Sequence, residues 1–168
     1  VYGDWPLKRN LPVSDTAKAI PADCELVSAT DAKGVITHVN QAFVDISGFS
    51  AEELEGSSHN IVRHPEMPPA AFENLWAQLK KGESWMGIVK NRTKDGDFYW
   101  VDAFVTPSRK GDHVIGYESV RVAADPQTVA RAEALYKGLW RTKRGLALPD
   151  FGLATRLALG FSGVAGLG

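Results

Sequence analysis

Short runs in which apolar and polar residues alternate recur along the chain, and they predict five β-strands. The strands are expected at residues 25–30, 35–40, 85–92, 98–105 and 113–122. Breaks rich in Asp and Gly separate the first two runs at residues 31–34 and the next two at residues 94–97, which is typical of hairpin turns. We therefore expect an antiparallel sheet.

Helical patterns fill the stretch between the second and third strands. Asn40 is placed to cap a helix over residues 41–47, and Gly48 ends that helix. Ser50 and Glu53 have the spacing of a capping box and predict a second short helix. Two strands, small helices and three further strands predict the α+β class, with a five-stranded antiparallel sheet and small helices on one face.

The clearest helix begins at Pro68 and Pro69 and ends at Gly82. Its large apolar residues recur at i, i+3, i+4 and i+7, which places them on one face of the helix. These residues are Phe72, Leu75, Trp76 and Leu79. We interpret this stripe as core, with Trp76 as the member that would also border a ligand.

Alternation in the third strand places Asn91 on the opposite face from Lys90 and Arg92. We expect the two cations to face water and Asn91 to point inward. A buried amide without a partner costs about 1–3 kcal/mol, so Asn91 requires a bound polar ligand, a buried neighbour or water. The outer face of the fourth strand is unusually aromatic, which favours a docking surface. This face consists of Phe98, Trp100, Asp102 and Phe104.

Composition limits the classes of function. A chain of 168 residues, of which 44% are hydrophobic, can form one domain with a substantial core. Its net charge of -1 argues against nucleic acid, which is bound by basic surfaces. The single cysteine, Cys24, excludes an internal disulfide and a multi-cysteine metal site and suits a reducing, cytoplasmic setting. No motif indicates an enzyme, and His59 and His64 are poorly spaced for a metal.

The two ends of the chain differ in character from the middle. Residues 1–23 lack the apolar core of a signal peptide, and we interpret them as an N-terminal arm or cap. Residues 125–145 are expected to form a linker helix that starts at Asp125 and Pro126. A 3-4-3 spacing in this helix fits either a coiled-coil seam or packing back onto the domain. The residues with this spacing are Val129, Ala132, Tyr136 and Leu139.

Residues 146–168 form an apolar, Gly-rich tail. It follows the basic residues Lys137, Arg141, Lys143 and Arg144. The uncharged apolar run at its end, residues 157–168, is shorter than the roughly 20 residues that a membrane-spanning helix requires. Two interpretations stay open: the beginning of a membrane segment whose basic side is cytoplasmic, and a tail that packs locally.

Residues 57–68, termed the lid, form a polar stretch between two helices. Two histidines, an arginine, an asparagine and a glutamate lie there among a few apolar residues. Such a composition is typical of a polar surface loop and equally of a loop that faces a ligand. The helices and strands on either side would provide the walls of a site, and they favour the ligand-facing interpretation.

Residues 24–124 resemble a PAS domain. The resemblance rests on the motifs TDAKGVI at 30–36, NQAF at 40–43, SGF at 47–49, ELEG at 53–56 and KDG at 94–96. The stretches HNIVRHPEMP at 59–68 and WMGIVKNR at 85–92 are similar to those of aerotaxis transducers, bacterial chemoreceptors whose PAS domain holds FAD. Glu66 departs from that subgroup, which carries an aspartate there, and its role is left open.

The resemblance implies a binding site for FAD. Asn91 matches a strand asparagine that hydrogen-bonds the polar edge of the flavin ring, and Arg63 matches a position that contacts the ring or the phosphates. His59 stands where light-sensing relatives carry their adduct-forming cysteine, so photoadduct chemistry is not expected. The full predicted cofactor-binding set is Asn40, His59, Arg63, His64, Trp76, Trp85 and Asn91.

The implied function is redox and oxygen sensing in bacterial aerotaxis and chemotaxis, by conformational change and without catalysis. The expected partners are the flavin, a downstream signalling or HAMP-like region and a second PAS copy. The expected location is a cytoplasmic domain of an inner-membrane-anchored receptor. Two alternatives stay open: a PAS domain that binds haem or a small ligand, and a cofactor-free PAS dimerisation module.

Overall fold

The computed structural model describes residues 9–141, and within them the strands and helices follow the predicted order. The strands are β1 (Leu26–Asp31), β2 (Ile36–Val39), β3 (Trp85–Arg92), β4 (Phe98–Lys110) and β5 (His113–Ala123). The helices are α1 (Gln41–Ser47), α2 (Ala51–Leu54), α3 (Pro69–Lys80) and α4 (Pro126–Arg141), with a 3₁₀ helix (His59–Val62) inside the lid. The predicted α+β class is confirmed.

The five strands form one antiparallel sheet in the order β2-β1-β5-β4-β3. The β1–β2 hairpin is attached to the other three strands by the pairing of β1 with β5. In this pairing, Leu26 of β1 lies opposite Arg121 of β5. Residues that lie opposite each other in such a ladder share one face of the sheet. Because β5 is the central strand, its inward side chains lie in the middle of that face.

Local sequence signals account for the small helices. The Asn40 side chain accepts a hydrogen bond from the backbone N–H of Phe43 and caps α1, as predicted. Ser50 and Glu53 form both hydrogen bonds of the capping box at the start of α2. On the sheet, the face of β4 opposite its aromatic outer face is buried throughout. Its residues are Tyr99, Val101, Ala103 and Val105.

Helix α4 packs against the outer face of the sheet, so its 3-4-3 spacing reflects packing back onto the domain. Ala132 and Tyr136 are buried, and the Tyr136 ring stacks on Trp100 with a centroid distance of 6.4 Å. The Tyr136 hydroxyl donates a 2.6 Å hydrogen bond to the backbone oxygen of Ile88 in the edge strand. α4 thus covers part of the aromatic outer face, whereas Phe104 is 41% exposed. Docking of a partner there stays a prediction.

The expectation that Lys90 and Arg92 face water is wrong, because both residues are buried. Lys90 Nζ forms an ion pair with Glu66 of the lid and lies over the Phe98 ring at 4.4 Å. The Arg92 guanidinium lies over the ring of Phe49, which follows α1, at 5.6 Å. Alternation assigns these cations to the outer face correctly. The outer face is nevertheless buried at this end of β3, because the lid and the segment after α1 cover it.

Replacing Tyr136 with phenylalanine should lower the free energy of unfolding by about 1 kcal/mol, because it removes the donor to Ile88 and keeps the ring. Chemical denaturation measures the difference. Tyr99→Phe is the matched control, since the buried Tyr99 hydroxyl has no hydrogen-bond partner among residues 9–141. We expect no loss of stability in the control, and an equal loss in both variants would contradict the prediction.

Residues 1–8 and 142–168 lie outside the described part of the chain. They include the apolar tail and the basic residues Lys143 and Arg144, so both interpretations of the tail stay predictions. Between residues 9 and 141, no helix combines the length and the apolar character that crossing a bilayer requires.

Candidate functional site

Four strands contribute polar side chains to the inner face of the sheet. The ladder places Asn91 opposite Tyr99 and Ser28 opposite Ser119, and Arg121 follows Ser119 on the same face. All five residues are buried. Interior polar groups in proteins are nearly always hydrogen-bonded, so a polar patch on a buried face requires an explanation. This patch defines the candidate site.

Asn91 points inward, as predicted, and is only 3% exposed. Among the described residues, neither its Nδ2 atom nor the hydroxyl of the opposite residue Tyr99 makes a hydrogen bond of standard geometry. The two side chains do interact, because the Asn91 amide partly offsets the burial that raises the pKa of Tyr99. Each unmet group in the interior costs about 1–3 kcal/mol. Two such groups side by side are the arrangement expected where a polar ligand completes the hydrogen bonding.

Arg121 belongs to this patch and was not predicted from the sequence. It is 7% exposed, its guanidinium donates to Ser28 Oγ at 3.1 Å, and it lies 3.0 Å from His59 Nε2. No carboxylate between residues 9 and 141 forms an ion pair with it. Burial lowers the pKa of Arg121 to about 10. The period of two in β5 is the signal that could have found it, because Arg121 is in phase with buried Tyr117.

His59 is a neutral acceptor in the site. Burial, followed by the charge of Arg121, lowers the pKa of His59 to about 3. Its Nε2 lies 3.1 Å from Ser28 Oγ, and its ring meets Phe43 edge to face at 5.8 Å. Since Arg121 can only donate, we assign Nε2 as the unprotonated nitrogen. Because Ser28 and the neutral His59 do not neutralise it, the positive charge of Arg121 is available to a negatively charged group.

Arg63 lies where the lid meets the edge strand. Its backbone pairs with that of Asn91 in an antiparallel bridge, and its guanidinium donates a 2.7 Å hydrogen bond to the backbone oxygen of Met67. The guanidinium also lies over the Phe72 ring at 4.4 Å. Burial lowers the pKa of Arg63. The lid thus brings a second cation to the strand that carries Asn91.

The two predicted tryptophans occupy different places. Trp85 lies across its own strand, because a Cβ atom added to Gly87 would come within 2.2 Å of Trp85 Cη2. Its Nε1 donates to Asn74 Oδ1 at 2.9 Å, which fixes the ring. Trp76 instead meets Tyr117 of β5 edge to face, with ring centroids 5.4 Å apart. Trp85 is therefore the aromatic surface on the inner face of β3.

Replacing Gly87 with alanine should lower the free energy of unfolding by about 1–3 kcal/mol, because the added methyl group takes space that the Trp85 ring occupies. Denaturation and tryptophan fluorescence measure the loss and the movement of the ring. Gly138→Ala is the control: no atom of the described residues lies within 4 Å of an added Cβ there, and alanine favours a helix by about 1 kcal/mol over glycine. A change in the free energy of unfolding of the same sign in both variants would contradict the close contact between Gly87 and the Trp85 ring.

The structure separates Asn40 and His64 from the other predicted site residues. Both polar atoms of the Asn40 side chain form hydrogen bonds to nearby backbone. The partners are Glu25, Val27 and Phe43. His64 is 3% exposed and lies on the outer side, where its ring meets Phe98 edge to face at 6.4 Å. Contact of either residue with a cofactor stays a prediction.

A cavity of about 260 Å³ lies on the outer side, between the lid and α4. It is lined by Glu66, Met67, Lys90, Trp100, Glu133, Tyr136, Lys137 and Trp140. None of the predicted cofactor-binding residues lines it, so it is not the candidate site. Glu66 uses its carboxylate here, in a hydrogen bond with Lys90 that lowers the pKa of Glu66. The side chain that departs from the aerotaxis pattern therefore acts on the α4 side of the lid.

Stability should decrease as the pH falls below about 6.5. Burial lowers the pKa of His59 to about 3 and, with the charge of Lys90, that of His64 to about 4. Unfolding returns both to about 6.5, so the unfolded chain binds more protons between pH 6.5 and 4. Each histidine should contribute about 1.4 kcal/mol per pH unit in that range. Denaturation at several pH values measures the slope, which His64→Phe should reduce. An unchanged slope would contradict the prediction.

Together the fold and the site define a small α+β domain whose sheet holds buried polar groups that lack partners among residues 9–141. The chain belongs to the PAS family: the family model described as PAS fold matches residues 36–120. This confirms the resemblance drawn from the sequence motifs.

Among characterised proteins, the chain is similar to the aerotaxis receptor of Escherichia coli (strain K12). The two are 47% identical over 132 residues, which cover 79% of this chain and 25% of the receptor. The nitrogen fixation regulatory protein of Klebsiella pneumoniae is 31% identical over 81 residues, 48% of this chain and 16% of that protein. The chain thus spans a quarter or less of these two relatives.

Solved structures share the fold. A light-oxygen-voltage domain studied with a flavin analogue superposes with a TM-score of 0.58 at 24% identity, covering 71% of this chain and 89% of that one. The five-stranded PAS architecture is therefore shared at low sequence identity.

Proposed function

We propose that this chain is a redox- and oxygen-sensing PAS domain that binds FAD non-covalently and signals in bacterial aerotaxis through a change of conformation. The similarity to the aerotaxis receptor supports the sensory role. One observation carries the cofactor: on the inner face, the Asn91 amide has no partner and the Arg121 guanidinium has no carboxylate among residues 9–141.

The residues present fit the polar edge of a flavin ring. That edge carries carbonyl oxygens and an N–H group, which an amide and a hydroxyl such as those of Asn91 and Tyr99 complement. Trp85 offers an aromatic surface on the same strand. Arg121 and Arg63 offer positive charge to the ring or to the phosphates. These groups would hold the cofactor, with His59 beside Arg121.

A bound flavin would supply reversible uptake of electrons, which adds negative charge to the ring system. Arg121 would respond to that charge by shifting relative to Ser28 and His59, its present hydrogen-bond partners. Ser28 lies in β1, Arg121 in β5 and His59 in the lid, so one movement reaches two central strands and the lid. No substrate is turned over, and the redox state biases two arrangements of the same fold.

We further propose that the domain is cytoplasmic, within a receptor anchored in the inner membrane. Its output would pass to a HAMP-like signalling region or to a second PAS copy. Larger signalling proteins among the relatives support this arrangement. The exposed outer surface around Phe104 is the place where such a partner would dock.

The visible absorption spectrum of the purified protein tests the proposal. We expect a flavin spectrum that bleaches on reduction and recovers in air, and FAD rather than FMN in the released cofactor by mass spectrometry. Protein that is colourless and stays so with excess FAD would overturn the proposal. A Soret band without flavin absorbance would favour the haem alternative, and a colourless dimer would favour the dimerisation module.

A further inference from the structure

Two residues that lie far apart in the chain and outside the lid hold it by its backbone. Asn10 of the N-terminal arm contacts the first half of the lid, and Trp140 of the last turn of α4 contacts the second half. Neither contact is with a side chain of the lid. Both therefore act on where the lid backbone lies.

Asn10 is buried, at 8% exposure, and its Nδ2 donates to the backbone oxygens of Asn60 at 2.6 Å and Arg63 at 3.0 Å. The arm itself is fixed to the start of β4. Backbone hydrogen bonds join Phe98 to Lys18 and to Thr16, and a side-chain hydrogen bond joins Ser14 to Asp97 at 2.6 Å. Asn10 thus connects an anchored segment to the lid.

Trp140 makes the corresponding contact from the other side. Its Nε1 donates a 2.6 Å hydrogen bond to the backbone oxygen of Glu66. α4 is anchored one turn earlier, where Tyr136 donates to the backbone oxygen of Ile88. The cavity of about 260 Å³ is lined by Glu66 and Met67 of the lid and by Tyr136 and Trp140 of α4, so the hydrogen bond from Trp140 to Glu66 joins the two segments beside a gap.

The residues between the two contacts include Arg63, which the proposed function assigns to the cofactor. The Arg63 guanidinium is bonded to the backbone of Met67, next to the Glu66 carbonyl that Trp140 holds. The Arg63 carbonyl is one of the two that Asn10 holds. Loss of the Asn10 or the Trp140 hydrogen bonds therefore frees one end of the lid segment, residues 60–66, that positions Arg63.

We propose that Asn10 and Trp140 are positioning residues that clamp the lid from the N-terminal arm and from α4, and that their release sets the rate at which the cofactor enters and leaves. The clamp stands on its own geometry, and its effect on the cofactor rests on the proposed function. The arm and α4 would then control access to the site.

Hydrogen–deuterium exchange of the whole chain, without added cofactor, tests the clamp. Asn10→Asp replaces the donor with an acceptor, and Trp140→Phe removes the N–H and keeps an aromatic ring. In both variants the amides of Arg63 and Met67, which are hydrogen-bonded within the lid, should exchange roughly five- to tenfold faster. Amides of β1 and β2 should exchange at the wild-type rate.

Gln127→Glu, which makes the same change of charge on an exposed side chain, is the control for Asn10→Asp and should leave lid exchange unchanged. Wild-type lid exchange in both variants would overturn the clamp. A uniform rise across all strands would overturn it as well, because it would reveal loss of overall stability.

The rate of flavin release from the loaded protein, captured by an excess of a flavin-binding acceptor, tests the second part. Release should be roughly five- to tenfold faster in both variants, with an unchanged flavin spectrum. Faster lid exchange with a wild-type release rate would overturn the control of access. Protein that takes up no flavin would overturn the proposed function and this second part together, while the exchange data still decide the clamp.

Discussion

Replacing Arg121 with methionine should stabilise the cofactor-free protein and, at the same time, weaken its binding of flavin. Arg121 is buried on the central strand without a carboxylate partner among residues 9–141. Apolar replacement of buried ionic groups is often neutral or stabilising by about 1–4 kcal/mol. We expect a gain of about 1–3 kcal/mol in the free energy of unfolding, because Ser28 and His59 lie 3.1 Å apart and can still bond each other.

The loss of affinity has the same origin as the gain in stability. A buried cation without a protein anion is costly in the empty site and favourable once a ligand brings negative charge. Flavin affinity should therefore fall at least roughly tenfold. Denaturation of the cofactor-free protein and titration with FAD measure the two effects. The pKa of His59 should also rise, because the charge of Arg121 helps to hold it at about 3, and an NMR titration of the imidazole detects this.

Arg109→Met is the matched control, since Arg109 is an exposed cation of β4. It removes the same charge, and we expect neither the gain in stability nor the loss of flavin affinity. A destabilised Arg121→Met protein with wild-type affinity for FAD would show that Arg121 serves the fold alone, which would contradict its assignment to the site.

Replacing Asn91 with leucine should weaken flavin binding by roughly 10- to 100-fold while the domain still folds. The Asn91 Nδ2 makes no hydrogen bond of standard geometry among residues 9–141, so leucine removes a hydrogen-bonding group at little cost to the fold. The affinity for FAD, followed through the quenching of flavin fluorescence, measures the change. Circular dichroism of the cofactor-free protein verifies the fold.

Two further variants separate the role of the amide from that of the strand. Ile88→Leu changes a buried residue of the same strand at constant volume and should keep wild-type affinity. Asn91→Asp keeps the acceptor and loses the donor, so it should bind FAD as weakly as Asn91→Leu. Wild-type affinity in Asn91→Leu would contradict the proposal that this amide holds the ring.

The elements of the fold were accessible from the sequence because their signals are local. The cap at Asn40, the capping box at Ser50 and the glycines of the turns each act within a few residues. Alternation along β3 and β4 likewise determines which side chains share a face. These predictions required no knowledge of how the elements pack together, and the structure confirms them.

The candidate site was accessible only in part. Asn91 was predicted to point inward by alternation alone, and it does. Arg121 was overlooked, because a cation in a strand is ordinarily exposed and only the central place of β5 makes it interior. His64 was included because the resemblance places it near the cofactor, whereas the extended backbone at Arg63 sends the side chains of Arg63 and His64 to opposite sides.

The sequence by itself determined the α+β class, the order of the strands and helices, and the inward direction of Asn91, because short-range periodicity and capping encode each of these. Only the tertiary structure decided that Lys90 is buried, that Arg121 has no counter-ion among residues 9–141, and that the lid is held by Asn10 and Trp140. Burial and charge pairing depend on which distant segments cover a residue. No pattern within a strand or helix carries that information.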